Sequence, residues 1–243
     1  MKVAVISDVH ANLAALEAVL AAIDDAGTDE LWCLGDLTGY GADPARCTQI
    51  VLERADVCLA GNHDMVIAGE IGLEAFSSDA RTAAEWTMEV LSADDLERLR
   101  GLQPKGERQT VELYHGSIRD PVWEYVIDDR TAAVCLELQG TRLSLVGHSH
   151  VPLMYGLDGS DDRASGGYAQ EGTRPLGNGR RLINPGSVGQ PRDGDPRAAY
   201  LVLDLDARTV TWRRLDYDIE RTQRAVIEAG LPRSLALRLR DGR

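Results

Sequence analysis

Met1-Lys2-Val3-Ala4-Val5-Ile6-Ser7-Asp8-Val9-His10-Ala11-Asn12 opens the chain. Val3, Val5 and Ile6 form a short apolar run, which reads as a buried strand. Asp8 and His10 follow it, and a helical spacing of leucines starts at Leu13. A carboxylate and an imidazole at the carboxyl end of a strand suit a metal, because a hard oxygen and a nitrogen then converge from one rigid edge. Asp-x-His alone is too common a pattern to decide that.

Repetition of the pattern decides more. Leu31–Leu34 runs into Gly35-Asp36, and Val57–Ala60 into Gly61-Asn62-His63-Asp64. Val111–Tyr114 runs into His115-Gly116, and Leu143–Val146 into Gly147-His148-Ser149-His150. Each strand-length apolar stretch ends in a ligand-type residue, usually beside a glycine. All 5 histidines of the chain fall in these endings, where a chance scatter would put some in helices and loops.

At 243 residues, the chain can build one sizeable core without a second one, and residues 1–243 read as a single domain with no internal repeat or linker. A formal charge of −13 argues against stable binding to nucleic acid or to anionic membranes, both of which rely on Lys and Arg to neutralise phosphates. A small phosphate ester stays open, since bound cations invert the local potential of a cleft. No apolar run is long enough to span a membrane. Met1-Lys2 leads straight into strand, so no leader is expected, and Cys33, Cys47, Cys58 and Cys135 lack metal-type spacing. The expected address is the cytoplasm.

Along the chain, Leu13, Leu16, Leu20 and Ile23 mark one helical face, with Asn12 as N-cap and Gly27 as stop. A strand near 30–34, a helix over 44–54 and the strand ending at Gly61 continue an α/β alternation. Residues 64–102 read as helical in pieces, with a capping box at Ser92–Asp95. Strands are expected near 107–114, 143–147 and 151–156. The polar, glycine-rich Leu157–Arg180 reads as either an exposed hairpin or a mobile flap, with the plain exposed connection preferred. Ala199–Leu205 and Thr209–Leu215 form a hairpin, and a helix over 218–229 precedes a basic tail.

Taken together, Asp8-x-His10, Gly35-Asp36, Gly61-Asn62-His63-Asp64, His115-Gly116 and Gly147-His148-x-His150 resemble the calcineurin-like metallophosphoesterases in motif order and spacing. Asn184-Pro185-Gly186-Ser187-Val188-Gly189-Gln190-Pro191-Arg192 is similar to the continuation in the small bacterial and archaeal phosphodiesterase branch. The resemblance implies a four-layer α/β/β/α sandwich of two mixed sheets flanked by helices. It also implies that Asp8, His10, Asp36 and His150 hold one ion while Asp36, Asn62, His115 and His148 hold a second, with Asp36 bridging.

The donors themselves fit a pair of ions. Seven oxygen or nitrogen groups without a thiolate are too many for one four-coordinate ion. With one bridging carboxylate they give four donors to each of two. The mixture suits divalent transition metals, manganese first, with iron, nickel or zinc as alternatives, better than calcium or magnesium. Such a pair lowers the pKa of a shared water for attack on phosphorus. His63, not needed as a ligand, is the expected acid for the leaving oxygen, with Asp64 orienting it through the other ring nitrogen.

Asn12 either caps the first helix or reaches the phosphate. Arg119 either clamps phosphate or makes a surface ion pair. Tyr40, Trp123 and Tyr125 pack or flank an aryl group, and Arg192 stands at the rim. The partner is a small phosphate ester, with monomer and homodimer both open. The functional readings are a phosphodiesterase on nucleotide-like diesters; a hydrolase of dinucleoside polyphosphates or phosphomonoesters, phosphoproteins included; and a non-catalytic scaffold, against which the full ligand set weighs.

Overall fold

Val3 and Val5 point to one side of the first strand and Ala4 and Ile6 to the other, and all four are fully buried. A strand buried on both faces belongs at the centre of a layered fold. In the computed structural model, which describes residues 1–158 and 163–243, it does.

The chain runs β1 (Lys2–Ile6), α1 (Leu13–Ala26), β2 (Glu30–Cys33), α2 (Pro44–Arg54), β3 (Val57–Cys58), α3 (Asn62–Ile67), α4 (Ser78–Val90), α5 (Ala93–Arg100), β4 (Lys105–Arg108) and β5 (Val111–Tyr114). It continues through α6 (Asp129–Leu138), β6 (Leu143–Val146), β7 (Leu153–Leu157), β8 (Ser165–Tyr168), β9 (Gly172–Pro175) and β10 (Arg180–Asn184). Then come β11 (Ala198–Asp204), β12 (Thr209–Leu215), α7 (Ile219–Glu228), α8 (Arg233–Leu237) and a closing 3₁₀ turn, Arg238–Arg240.

Two mixed six-stranded sheets result, in the orders β3-β2-β1-β11-β12-β9 and β4-β5-β6-β10-β7-β8. One core lies between them, with Val3, Val5, Trp32, Leu201 and Trp212 from the first sheet against Leu113, Leu145 and Ile183 from the second. Outside the first sheet, α1 and α2 set Leu16, Val19, Ile23 and Val51 on Ala4, Ile6 and Cys33. Outside the second, α6 sets Ala132, Cys135 and Leu136 on Val146, Leu153 and Leu182. Burying each of the larger aliphatic side chains contributes about 1.5–3 kcal/mol. The architecture is the α/β/β/α sandwich that the motifs implied.

Parallel pairing sets up the site. β1, β2 and β3 run parallel in the first sheet, and β5, β6 and β10 in the second. Their carboxyl ends, where the ligand-type residues follow, meet at one edge of the sandwich.

Several sequence expectations are corrected. The 107–114 segment is a hairpin of β4 and β5, turned by Gln109 and Thr110 at φ +52° and +63°. α6 was not anticipated. In the stretch Leu157–Arg180, whose residues 159–162 lie outside the described residues, β8 pairs back on β7 as the hairpin reading expected, but β9 crosses to the other sheet, so the stretch is not a plain exposed loop. β8 closes the edge of the second sheet and β9 that of the first, and Ala169 and Leu176 enter the central core. The basic tail is folded as well, with Leu235, Ala236 and Leu239 buried. Asn12, Gly27 and the box at Ser92 cap their helices as expected.

Candidate metal centre

Asp8 and His10 follow β1, Asp36 follows β2, Asn62 opens α3, His115 follows β5, and His148 and His150 follow β6. The edge is tightly folded. Asp8, His10, Asp36, His148 and His150 all sit in the left-handed backbone region, at φ between +47° and +63°. Non-glycine residues there cost about 1–3 kcal/mol each, and such strain collects at functional sites. The loops after β2 and β3 lie back to back. A Cβ on Gly35 would come 2.5 Å from Gly61 N, and one on Gly61 would come 2.0 Å from Asp36 Oδ1. Only glycine fits at either position.

The ligand-type atoms form two groups joined at Asp36: Asp8, His10, Asp36 and His150, then Asp36, His115 and His148. Within each group these atoms lie within 4.8 Å of one another. His10 Nε2 is 3.6 Å and His115 Nε2 3.5 Å from Asp36 Oδ2, and His150 Nε2 is 3.5 Å from Asp8 Oδ1. Those separations match the edge, about 3.4 Å, of a tetrahedron of donors around one ion at typical bond lengths. Asn62 Oδ1 adjoins the second group, 3.1 Å from His115 Nε2.

Hydrogen bonding shows which nitrogens face inward. Nδ1 of His10, His115 and His150 lies 2.9, 2.9 and 2.6 Å from the carbonyls of Thr38, Leu34 and Gln190. A carbonyl only accepts, so each Nδ1 carries the proton and each Nε2 presents a lone pair. His148 is held the other way round, by Nε2 on the Trp123 carbonyl at 3.2 Å, which leaves Nδ1. His10 Nε2 and His150 Nε2 therefore oppose lone pairs at 3.0 Å. Asp8 Oδ2 and Asp36 Oδ2 are buried without any partner. Two facing lone pairs beside two orphan carboxylate oxygens repel one another unless a cation lies among them. The residues fit divalent metal.

Burial also sets their protonation. It pushes Asp8 up to about 7 and Asp36 well above the usual carboxylate range, the latter helped by the charge of Asp64. It holds His10, His148 and His150 well below the usual imidazole range, helped by neighbouring histidines and Arg192. Neutral imidazoles are the form that ligates.

The calcineurin-like phosphoesterase superfamily domain matches the chain over residues 1–208. The chain belongs to that superfamily. It is 35% identical over 249 residues to an uncharacterized protein of Methanocaldococcus jannaschii, covering 99% of this chain and 98% of that one. The crystal structure of a metallophosphoesterase from Sphaerobacter thermophilus superposes with a TM-score of 0.90 at 43% identity, over 100% of this chain and 99% of that one. A hypothetical protein from Pyrococcus horikoshii OT3 shares the fold, with a TM-score of 0.81 at 18% identity, over 100% and 98% of the chains.

Beside these ligand-type residues lies a cavity of about 270 Å³. Tyr40, His63, Phe76, Trp123, Tyr125 and Arg192 line it beside Asp36, Asn62, His148 and His150. The His63 ring stands between Tyr40 and Phe76, with centroids 4.5 and 4.4 Å away, and its Nδ1 is buried without a partner. Tyr125 stacks on His148 at 4.0 Å. Phe76 and Ser77, which precede α4, were missed in the sequence because nothing in the polar stretch before that helix points to a cleft.

Two site expectations are corrected. Asp64 does not orient His63. Its carboxylate accepts from the backbone N–H of Leu37, Thr38 and Gly61 at 3.0–3.1 Å and from Thr38 Oγ1 at 2.7 Å. These bonds tie the Asp36 loop to the Asn62 loop and use up its acceptor capacity. Arg119 does not line the cavity; it is half-exposed and forks onto Glu124.

Asn12 caps α1 through its Oδ1, which accepts from Ala15 N at 3.2 Å, and its Nδ2 donates to Gly189 O at 2.8 Å. That second bond holds it away from the cavity. Asp64→Ala is accordingly expected to act through stability. Loss of four hydrogen bonds to a buried carboxylate should cost on the order of 3–5 kcal/mol in urea unfolding. A variant with wild-type unfolding but reduced turnover would return Asp64 to a catalytic role.

Proposed function

We propose that this chain is a two-metal phosphoesterase that hydrolyses small, nucleotide-like phosphodiesters, with manganese as the preferred ion. Asp8, His10, Asp36 and His150 would hold one ion, and Asp36, Asn62, His115 and His148 the other. The observation that carries the reading is the pair of opposed imidazole nitrogens at 3.0 Å beside two unpartnered carboxylate oxygens. The 43% identity to a metallophosphoesterase supports the hydrolase chemistry. When bound, the ions supply positive charge to phosphoryl oxygens and acidify a water for attack on phosphorus.

The protein side supplies the rest. Carbonyls of Thr38, Leu34 and Gln190 fix the tautomers and aim the lone pairs before any substrate arrives. The His63 ring lines the cavity, with its unpartnered Nδ1 buried on the Gly39 side. Burial and the charge of Arg192 keep its pKa well below the ordinary value, so it rests as neutral imidazole. The negative charge of a bound phosphoryl group raises its proton affinity, which suits a donor to the leaving oxygen. Tyr40 and Phe76 by His63, and Trp123 and Tyr125 by His148, form an aromatic rim joined where Phe76 meets Trp123 edge-on at 6.1 Å, with faces on both sides for the organic groups of an ester. That pairing favours a diester. The net charge of −13 and the small cavity favour a small ester over nucleic acid. The four cysteines are free, in keeping with a cytoplasmic address.

Rates with manganese on a matched aryl diester, aryl monoester and dinucleoside tetraphosphate test the reading. The diester should exceed the monoester by at least about tenfold in kcat/KM. The reverse order would make this a phosphomonoesterase. No turnover of any of the three with manganese, iron, nickel or zinc would leave a scaffold.

A further inference from the structure

The metal ligands and the organic side of the cavity are held by different parts of the chain. The ligand rings are fixed by carbonyls of Thr38, Leu34, Gln190 and Trp123, all within the matched domain that ends at residue 208. Beside them, Tyr40, Phe76 with Ser77 and Ala80, and Arg192 line the cavity. These come from the loop after β2, from the start of α4 and from the stretch after β10, which lie far apart in sequence. One segment beyond the matched domain, residues 232–242, is fastened to all three.

α8 makes the first two attachments. Leu235 and Ala236 share an apolar cluster with Ala83 of α4, and Tyr40 and Ala42 pack against it. Leu235 and Leu239 also line one crevice with Tyr40, His10 and Gln190. Ser234 Oγ donates to the Asp79 carboxylate in the first turn of α4, just past Ser77. The third attachment lies past the closing 3₁₀ turn, where Gly194 N, two residues after Arg192, donates to Gly242 O at 3.0 Å. Gly242 sits at φ +61°, and a Cβ there would come 2.7 Å from both the N and the C of Asp195. With any other residue, the loop or the tail must shift. The segment has a firm footing on α7, where Gln223 Nε2 donates to Ala236 O at 2.8 Å. Thr222 of α7 in turn donates to Asn12 Oδ1 at the start of α1, also at 2.8 Å.

We propose that Ser234, Leu235 and Gly242 are positioning residues for substrate: they hold Tyr40, the Phe76 end of α4 and the Arg192 loop at the spacing that seats the organic part of the ester. The proposal rests on the phosphoesterase reading above and adds a determinant of substrate affinity to it. Walls carried on three separate elements keep a common spacing only if something braces them together. Misplacing such orienting groups by about 1 Å can cost on the order of a hundredfold. The metal ligands have their own carbonyl partners and do not depend on this brace. Contacts made equally to substrate and transition state change KM and leave kcat alone. Loosening the brace therefore has a signature distinct from losing an ion or unfolding the chain.

The test compares Gly242→Ala and Leu235→Ala with Arg240→Ala, a control in the same segment whose side chain pairs with Glu220 at 3.2 Å, away from the cavity. Steady-state rates of the manganese-loaded full chain on an aryl diester are measured beside metal content and hydrogen exchange at the Gly194 amide. Gly242→Ala and Leu235→Ala should each raise KM at least about tenfold, with kcat within about threefold of wild type and both ions retained. Gly242→Ala should also speed exchange at Gly194, whose N–H it releases. Arg240→Ala should match wild type throughout. Gly242→Ala removes no buried side chain, so it decides the matter should Leu235→Ala fail to fold. A segment that only stabilises the fold would lower kcat with the folded fraction and leave KM alone. That result, an unchanged KM or an unchanged Gly194 exchange in Gly242→Ala, a lost ion, or a control as impaired as the other two would overturn the role. A wild type that hydrolyses no ester would instead overturn the phosphoesterase reading, with Gly194 exchange still reporting whether the tail holds the Arg192 loop.

Discussion

Asp36→Asn is expected to lower kcat by on the order of a thousandfold or more, yet to give a metal-free chain that melts higher than metal-free wild type at pH 8. Asp36 is the one residue common to both ligand groups, so its loss weakens both ions together. The amide keeps an oxygen where Oδ1 accepts from His63 N at 2.9 Å, and the loop therefore stays folded. The stability gain has a defined sign. Asp36 is fully buried and its pKa is raised well above the carboxylate value. A carboxyl raised in the folded state gives up stability as pH climbs from its unfolded value to its folded one. A neutral isostere removes that loss, so the gain should be largest at pH 8 and vanish near pH 4. Scanning calorimetry in chelator checks the melting, and steady-state rates in manganese check the activity. A variant that melts lower at pH 8 would mean that the carboxylate has a protein partner not evident in the structure.

His63→Ala should lower kcat by about 10²–10⁴ while both ions stay bound. His63 belongs to neither ligand group, and its Nδ1 has no partner to lose. Added imidazole should restore part of the rate, because the space between Tyr40 and Phe76 is shaped for that ring. Metal content by mass spectrometry separates the outcomes. A variant that has lost an ion would make His63 a support for the ligands, and one with wild-type turnover would remove it from the reaction.

The cluster of ligand-type residues was legible because its members follow strands whose apolar runs are short and buried. Val3–Ile6 and Leu143–Val146 announce where each strand stops, and a histidine or aspartate stands just past the stop. Edge strands lack that mark. β8 and β9 are largely exposed and rich in glycine, so no apolar alternation separates them from a loop. The turn between β4 and β5 hid for a related reason, since Gln109 and Thr110 hold left-handed backbone that a sequence usually signals with glycine or asparagine.

Roles were harder to read than positions. Asp64 is next to His63 in sequence, but α3 turns its carboxylate back to cap its own first turn and hold the Asp36 loop. Arg119 is near His115 in sequence, yet Glu124 claims it. Arg238, more than forty residues from any motif, reaches Tyr40 only because the tail folds back on the cleft.

The central claim is that one pocket holds two cations bridged by Asp36, and electron paramagnetic resonance of the manganese-titrated chain tests it most directly. Two manganese ions per chain with an exchange-coupled spectrum, reduced in Asp36→Asn to the signal of isolated ions, is the expected result. Fewer than two ions at saturation, or two whose spectra stay uncoupled in the wild type, would contradict the account.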